Sequence, residues 1–345
     1  EAAKKAVDEN YSKYSPVPGY ASLRKAIVEK LKRENGLEYT INEILVSNGA
    51  KQSVCNTIMA LVNDGDEVII PAPYWVSYPQ MVKLAGGNPV IVDAGFEQNF
   101  KMTPKQLEDA ITPKTRLLIL CSPSNPTGSV YSQEELDALA EVIKIHERVI
   151  VIADEIHSDV VYSGNRHIPF ASISKDFEQN TISFMNPSKT FNLPGFRTAA
   201  FIAVNPLLKA AVHNVVVNNK AIGENICGTL AFCIAYEQCD YYVDQLIPYL
   251  EANRNYVEKS LKDLDGIDVV HPEGTYLLWL DCRKLKMKQA ELERFFVEKA
   301  KLGLNNGISF GVEGNGFMRM NIACPRSTVE EAMERIVMAT KNLIS

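Results

Sequence analysis

Val149-Ile150-Val151-Ile152-Ala153-Asp154 is an unbroken apolar run closed by a carboxylate. A strand buried on both faces reads this way, because successive side chains point to opposite sides and neither side meets water. Similar runs recur at 44–46, 67–70, 89–92, 116–120, 181–184 and 199–203. Between them lie helical patterns at 51–62, 78–84, 104–111 and 133–145, the last opened by Ser132 and Glu135 as a capping box. Strands alternating with helices predict an α/β fold with a mostly parallel sheet covered by helices.

The chain has 345 residues, more than one hydrophobic core usually holds, so two domains are expected. A long helical stretch at 241–264 leads to strand patterns at 275–281 and 316–322 and helical patterns at 289–302 and 328–344. We expect a large domain over 15–245 and a smaller α+β domain built from 1–14 and 246–345. A net charge of -6 leaves no basic footprint for nucleic acid or an anionic membrane. The longest apolar runs, near 67–72 and 116–121, are too short to cross a bilayer. Residues 1–11 are charged and amphipathic and do not resemble a secretory leader. The seven cysteines are scattered, with no Cys-x-x-Cys pair, so no metal site or disulfide framework is expected and a reducing, cytoplasmic location fits.

In a parallel sheet, ligands collect beyond the carboxyl ends of the strands, so polar residues just after the apolar runs matter most. Lys189, in Asn186-Pro187-Ser188-Lys189-Thr190, follows one run and could form a Schiff base if its surroundings lower its pKa. Taken alone, such a lysine is usually a solvated loop residue. Asp154, at the end of its run, could face a protonated pyridine nitrogen, although a carboxylate after a strand also starts helices. Arg197 has a fork of donors suited to phosphate. Gly49 and Ala50 open a helix after a strand, where backbone amides could cradle phosphate, as could any ordinary turn. Trp75 follows another run and suits either a flat ring or core packing.

Ser122-Pro123-Ser124-Asn125-Pro126-Thr127-Gly128, with Asp154, Lys189 and Arg197 in order behind it, resembles the fold-type I pyridoxal-phosphate enzymes, the aspartate aminotransferase family, over essentially the whole chain. The resemblance implies the cofactor pyridoxal 5'-phosphate, joined to Lys189. It further implies that Asn125 bonds the ring hydroxyl, that Gly49, Ala50, Ser188 and Arg197 meet the phosphate, and that Trp75 stacks on the ring. Tyr14 matches a tyrosine that reaches the phosphate of a neighbouring subunit, which implies a homodimer. Arg319 matches the arginine that grips the substrate's α-carboxylate, and Lys51 the lysine that contacts a distal one.

Up to residues 140–150 the chain is similar to bacterial aspartate aminotransferases; beyond, Asp154-Glu155-Ile156-His157-Ser158-Asp159 and Asn321-Ile322-Ala323-Cys324-Pro325 resemble the cystathionine β-lyase branch. His157 stands where aminotransferases usually carry a tyrosine on the ring hydroxyl, and an imidazole can donate the same bond. Glu1 resembles a point some way into a typical member, so the segment that covers the active-site mouth is expected to be missing.

The activity these features imply is transfer of an amino group from aspartate or glutamate to a 2-oxo acid, with Lys189 as general base. Carbon–sulfur β-elimination is the alternative, supported by His157. A protein on this fold without turnover is a third reading.

Overall fold

The computed structural model describes residues 1–219 and 223–344. Each of the seven runs forms a strand: β1 Ile44–Ser47, β2 Glu67–Ala72, β3 Asn88–Asp93, β4 Thr115–Cys121, β5 Ile150–Asp154, β6 Thr181–Met185 and β7 Ala199–Ile202. They lie in one sheet in the order β1-β7-β6-β5-β4-β2-β3. Pairing is parallel from β6 through β5, β4 and β2 to β3, and β7 runs against both β6 and β1.

Double burial accounts for the unbroken apolar runs. Ile150 and Ile152 point to one face, where Val54, Ile58 and Leu61 of helix Ala50–Leu61 cover them. Val151 and Ala153 point to the other, against Leu136, Leu139, Ala140 and Ile143 of helix Gln133–Ile145. Those four sit at the i, i+3, i+4, i+7 spacing of a single helical stripe. The expected capping box is present: Glu135 N–H donates to Ser132 Oγ at 3.2 Å and Ser132 N–H to Glu135 Oε2 at 2.8 Å.

A second sheet is antiparallel throughout, in the order β10 Asn305–Asn306, β11 Phe317–Asn321, β9 Leu277–Asp281, β8 Asp268–Val270. On one face Leu278, Leu280, Met318 and Met320 pack with Val257 and Leu261 of helix Asp240–Leu261 and Met333 and Ile336 of helix Arg326–Ile344. On the other, Trp279 stacks on Phe317 with ring centres 5.3 Å apart, and Phe100, from the segment after β3, joins them. The helical pattern expected over 289–302 breaks early. Its α-helix stops at Arg294, and Phe295–Lys299 form a π-turn. Phe295 and Phe296 are adjacent and both buried, and the wider turn accommodates them together. Helix Ala2–Asp8 lies against helix Ile226–Gln238, whose Phe232 and Tyr236 pack beside β1 and β7. Among the described residues no helix is long and apolar enough to cross a membrane.

The two sheets are joined by backbone as well as by side chains. Gly128 C=O accepts from both Glu273 N–H and Gly274 N–H at 2.9 Å, and Thr275 N–H donates to Val160 C=O at 2.7 Å. This brace holds the loop after β4 against the segment leading into β9. Gly128 has φ +76, and a Cβ on it would fall 2.5 Å from Pro272 Cβ. Gly36, also left-handed at φ +67, has open space around it. Gly36→Ala therefore carries only the backbone cost, about 1 kcal/mol, whereas Gly128→Ala adds an overpacking cost of about 1–3 kcal/mol. Thermal unfolding of the two variants should show the larger fall for Gly128→Ala; equal falls would mean that the brace is not tightly packed.

Candidate active site

The carboxyl ends of β1, β4, β5 and β6 open on a cavity of about 1130 Å³. Among the described residues its lining carries three basic side chains, Lys51, Lys189 and Arg197, and one carboxyl group, Asp154, together with Gly49, Ala50, Trp75, Asn125 and Ser188.

Lys189 rides on helix Pro187–Thr190, a single turn after β6. Asn186 Oδ1 caps that turn by accepting from Ser188 N–H at 2.8 Å. Burial lowers the Lys189 pKa, and the charges of Arg319 and Lys51 lower it further against the opposing pull of Asp154. The amine is thus shifted toward its neutral, nucleophilic form.

Asp154 is 2% exposed. The Tyr78 hydroxyl donates to Oδ2, while Oδ1 is buried without a partner. Burial raises its pKa, and the Tyr78 bond, the Ile156 backbone and Lys189 only partly offset this. His157, on the turn after β5, is 1% exposed, and neither ring nitrogen has a partner. Its ring meets Tyr276 edge-on at 5.6 Å. Burial first, then the charges of Lys189 and Arg319, push its pKa down to about 3, so the imidazole is neutral at ordinary pH.

Gly49, at φ +92, turns the chain from β1 into helix Ala50–Leu61, and no side chain caps that helix start. The left-handed turn leaves the helix amides open to the cavity, an arrangement suited to an anion. Lys51 Nζ stands 5.1 Å from the Trp75 ring centre, and Trp75 meets Tyr78 edge-on at 5.3 Å. Arg319, in β11, comes from the second sheet. Its Nη1 donates to Asn125 Oδ1 at 2.7 Å, its Nη2 to Asn305 Oδ1 at 2.8 Å, and its Nε is buried without a partner. Tyr14 is fully exposed and does not line the cavity.

Sequence reasoning did not pick out Tyr78, Tyr276 or Asn305. Tyr78 stands in the same aromatic segment as Trp75, but Trp75 precedes the helix that Tyr78 starts, so no helical spacing linked the two. Asn305 carried no signal either, because only the β10–β11 register sets it opposite Arg319.

Residues 1–336 match the family model for class I and II aminotransferases. A bifunctional aspartate aminotransferase and glutamate/aspartate-prephenate aminotransferase from Petunia hybrida is 37% identical over 349 residues, covering 97% of this chain and 72% of that protein. An aspartate aminotransferase from Geobacillus stearothermophilus is 36% identical, covering 97% of this chain and 86% of that one. Among solved structures, a PLP-bound protein from Clostridium difficile 630, provisionally assigned as an aminotransferase, superposes with a TM-score of 0.93 at 32% identity, covering 98% of this chain and 87% of the other.

The neutrality of His157 has a pH signature. Its pKa falls from an ordinary 6.5 to about 3 on folding, so between those values the unfolded chain binds a proton that the folded chain refuses. Stability from this site is therefore complete above pH 6.5 and is lost as pH falls toward 3. In His157→Phe the fall in unfolding free energy between pH 6 and pH 4 should be shallower by on the order of 1 kcal/mol per pH unit. Urea titrations of the cofactor-free protein across that range would measure it, and parallel slopes in parent and variant would refute the assignment.

Proposed function

Because the chain belongs to the class I and II aminotransferase family, we propose that its pyridoxal-phosphate-dependent transfer of an amino group runs between aspartate or glutamate and a 2-oxo acid. The observation that carries the acidic substrate is that two basic side chains remain once Lys189 is given to the cofactor and Arg197 to its phosphate: Lys51 in the cavity lining and Arg319, both close enough to act on Lys189 electrostatically. An amino acid with two carboxylates matches that pair. Relatives of this chain are named as aspartate aminotransferases.

The unmatched polar atoms suit the cofactor. Asp154 Oδ1 and the two nitrogens of His157 are buried without partners, and the start of helix Ala50–Leu61 is uncapped. When bound, pyridoxal phosphate supplies a carbonyl that condenses with amines and a ring that withdraws electrons from the α-carbon. Asp154 would hold the proton on the pyridine nitrogen. The Asn125 amide hydrogens and one N–H of His157 would be donated to the ring hydroxyl, and Trp75 would cover a ring face. Gly49, Ala50, Ser188 and Arg197 would surround the phosphate. Lys189, shifted toward the neutral amine by burial, would take the α-proton as general base. Arg319, steadied by Asn125 and Asn305, would take the α-carboxylate, leaving the distal one to Lys51.

A carbon–sulfur β-lyase is less favoured. Its support is His157 and the change of resemblance near residues 140–150, whereas the aminotransferase relatives run across that point. Its assay is release of pyruvate from cystathionine.

Lys51→Val tests the acidic substrate. Loss of one charge-assisted contact, roughly 1.5 to 3 kcal/mol, should lower kcat/KM for aspartate with 2-oxoglutarate by about one to two powers of ten while sparing neutral amino acids. If the variant handles aspartate as the parent does, an acidic substrate loses its support.

We also infer a homodimer, in which the exposed Tyr14 of one copy reaches the phosphate site of the other. Light scattering should report twice the 38.4 kDa of the chain; a monomer with full cofactor affinity would exclude the arrangement.

A further inference from the structure

The turn Pro187–Thr190 that carries Lys189 has four residues, too few for a helix to hold itself in water. Asn186 fixes its amino end. Its other end is fixed from behind the cavity. Thr190 Oγ1 donates to Asp159 Oδ2 at 2.7 Å, and Asp159 Oδ1 meets Lys30 Nζ at 2.9 Å. Lys30 arrives from helix Ala21–Asn35, with its side chain only 4% exposed and that of Asp159 8%. The ammonium also contacts Glu34 Oε2 at 2.5 Å and lies 4.8 Å from the ring centre of Tyr236. Neither Lys30, Asp159 nor Thr190 lines the cavity.

A pair withdrawn from water to this degree gives a poor return in stability, because desolvation offsets the Coulomb attraction. What it can do is impose one geometry. Asp159 lies on the same turn as His157, just after β5 and Asp154. Its carboxylate therefore ties the segment bearing Asp154 and His157 to the turn bearing Lys189.

We propose that Lys30, Asp159 and Thr190 form a positioning relay that sets where the Lys189 amine stands relative to Asp154 and His157, and through that placement governs proton transfer by Lys189. The relay rests on the reading of Lys189 as the cofactor lysine. Oriented reacting groups are sensitive to displacement, a shift near 1 Å costing up to about a hundredfold in rate. Partial release of the turn should thus lower kcat more than it changes KM.

Thr190→Val keeps shape and volume, leaves the Lys30–Asp159 pair intact and removes only the hydroxyl. In the cofactor-loaded protein it should lower kcat about tenfold with KM for the amino acid within about twofold. The midpoint of the visible-absorbance pH titration should move by about half a unit or more, as expected when charged neighbours are repositioned. Thr190→Ser should restore both, and Asp159→Asn should change both in the direction of Thr190→Val. A Thr190→Val protein that titrates and turns over like the parent, whatever its melting temperature, would overturn the relay. Borohydride reduction of the parent followed by mass spectrometry tests the premise separately. An adduct on a lysine other than Lys189 would remove the site reading, and the relay with it.

Discussion

A carboxylate at the end of a strand buried on both faces loses its water, and Asp154 regains only part of that loss from the protein. Tyr78 satisfies one oxygen and nothing satisfies the other. The same loss of water acts on the titratable groups beside it. The pKa of Asp154 rises, that of Lys189 falls and that of His157 falls. All three shifts have burial as their first cause, and all three favour the uncharged form. The site is therefore short of partners, which is the condition in which a polar ring with its own hydroxyl and nitrogen is taken up.

Holding such a site open requires rigidity around it. Parallel strands bring β4, β5 and β6 to one edge, so that Asn125, Asp154 and Lys189 meet although they are distant in sequence. The brace from Gly128 to Glu273 and Gly274 fixes the Asn125 loop against the second sheet. Arg319 then reaches back across that junction to Asn125. Helix Asp240–Leu261 packs on both sides of this junction, with Leu250 against Val160 and Tyr162 and with Val257 and Leu261 in the core of the second sheet.

Much of this was legible residue by residue. The seven strands were readable because burial on both faces leaves an uninterrupted apolar run, and helix Gln133–Ile145 because its stripe and capping box agree. Helix Ile226–Gln238 escaped because it is apolar on almost every side and shows no stripe. The π-turn at Phe295–Lys299 escaped because two adjacent buried aromatics follow no regular period.

By itself the sequence determined which chemical groups follow which strands, because period, capping and strand length depend on neighbours a few residues apart. It placed Asp154 after one buried strand and Lys189 after another. Tertiary structure decided the rest: that Tyr78 rather than solvent meets Asp154, that Asn305 faces Arg319, and that Lys30 is buried against Asp159 behind Lys189. Desolvation and Coulomb energy depend on distances between atoms from remote segments, and those distances exist only once the sheets have packed.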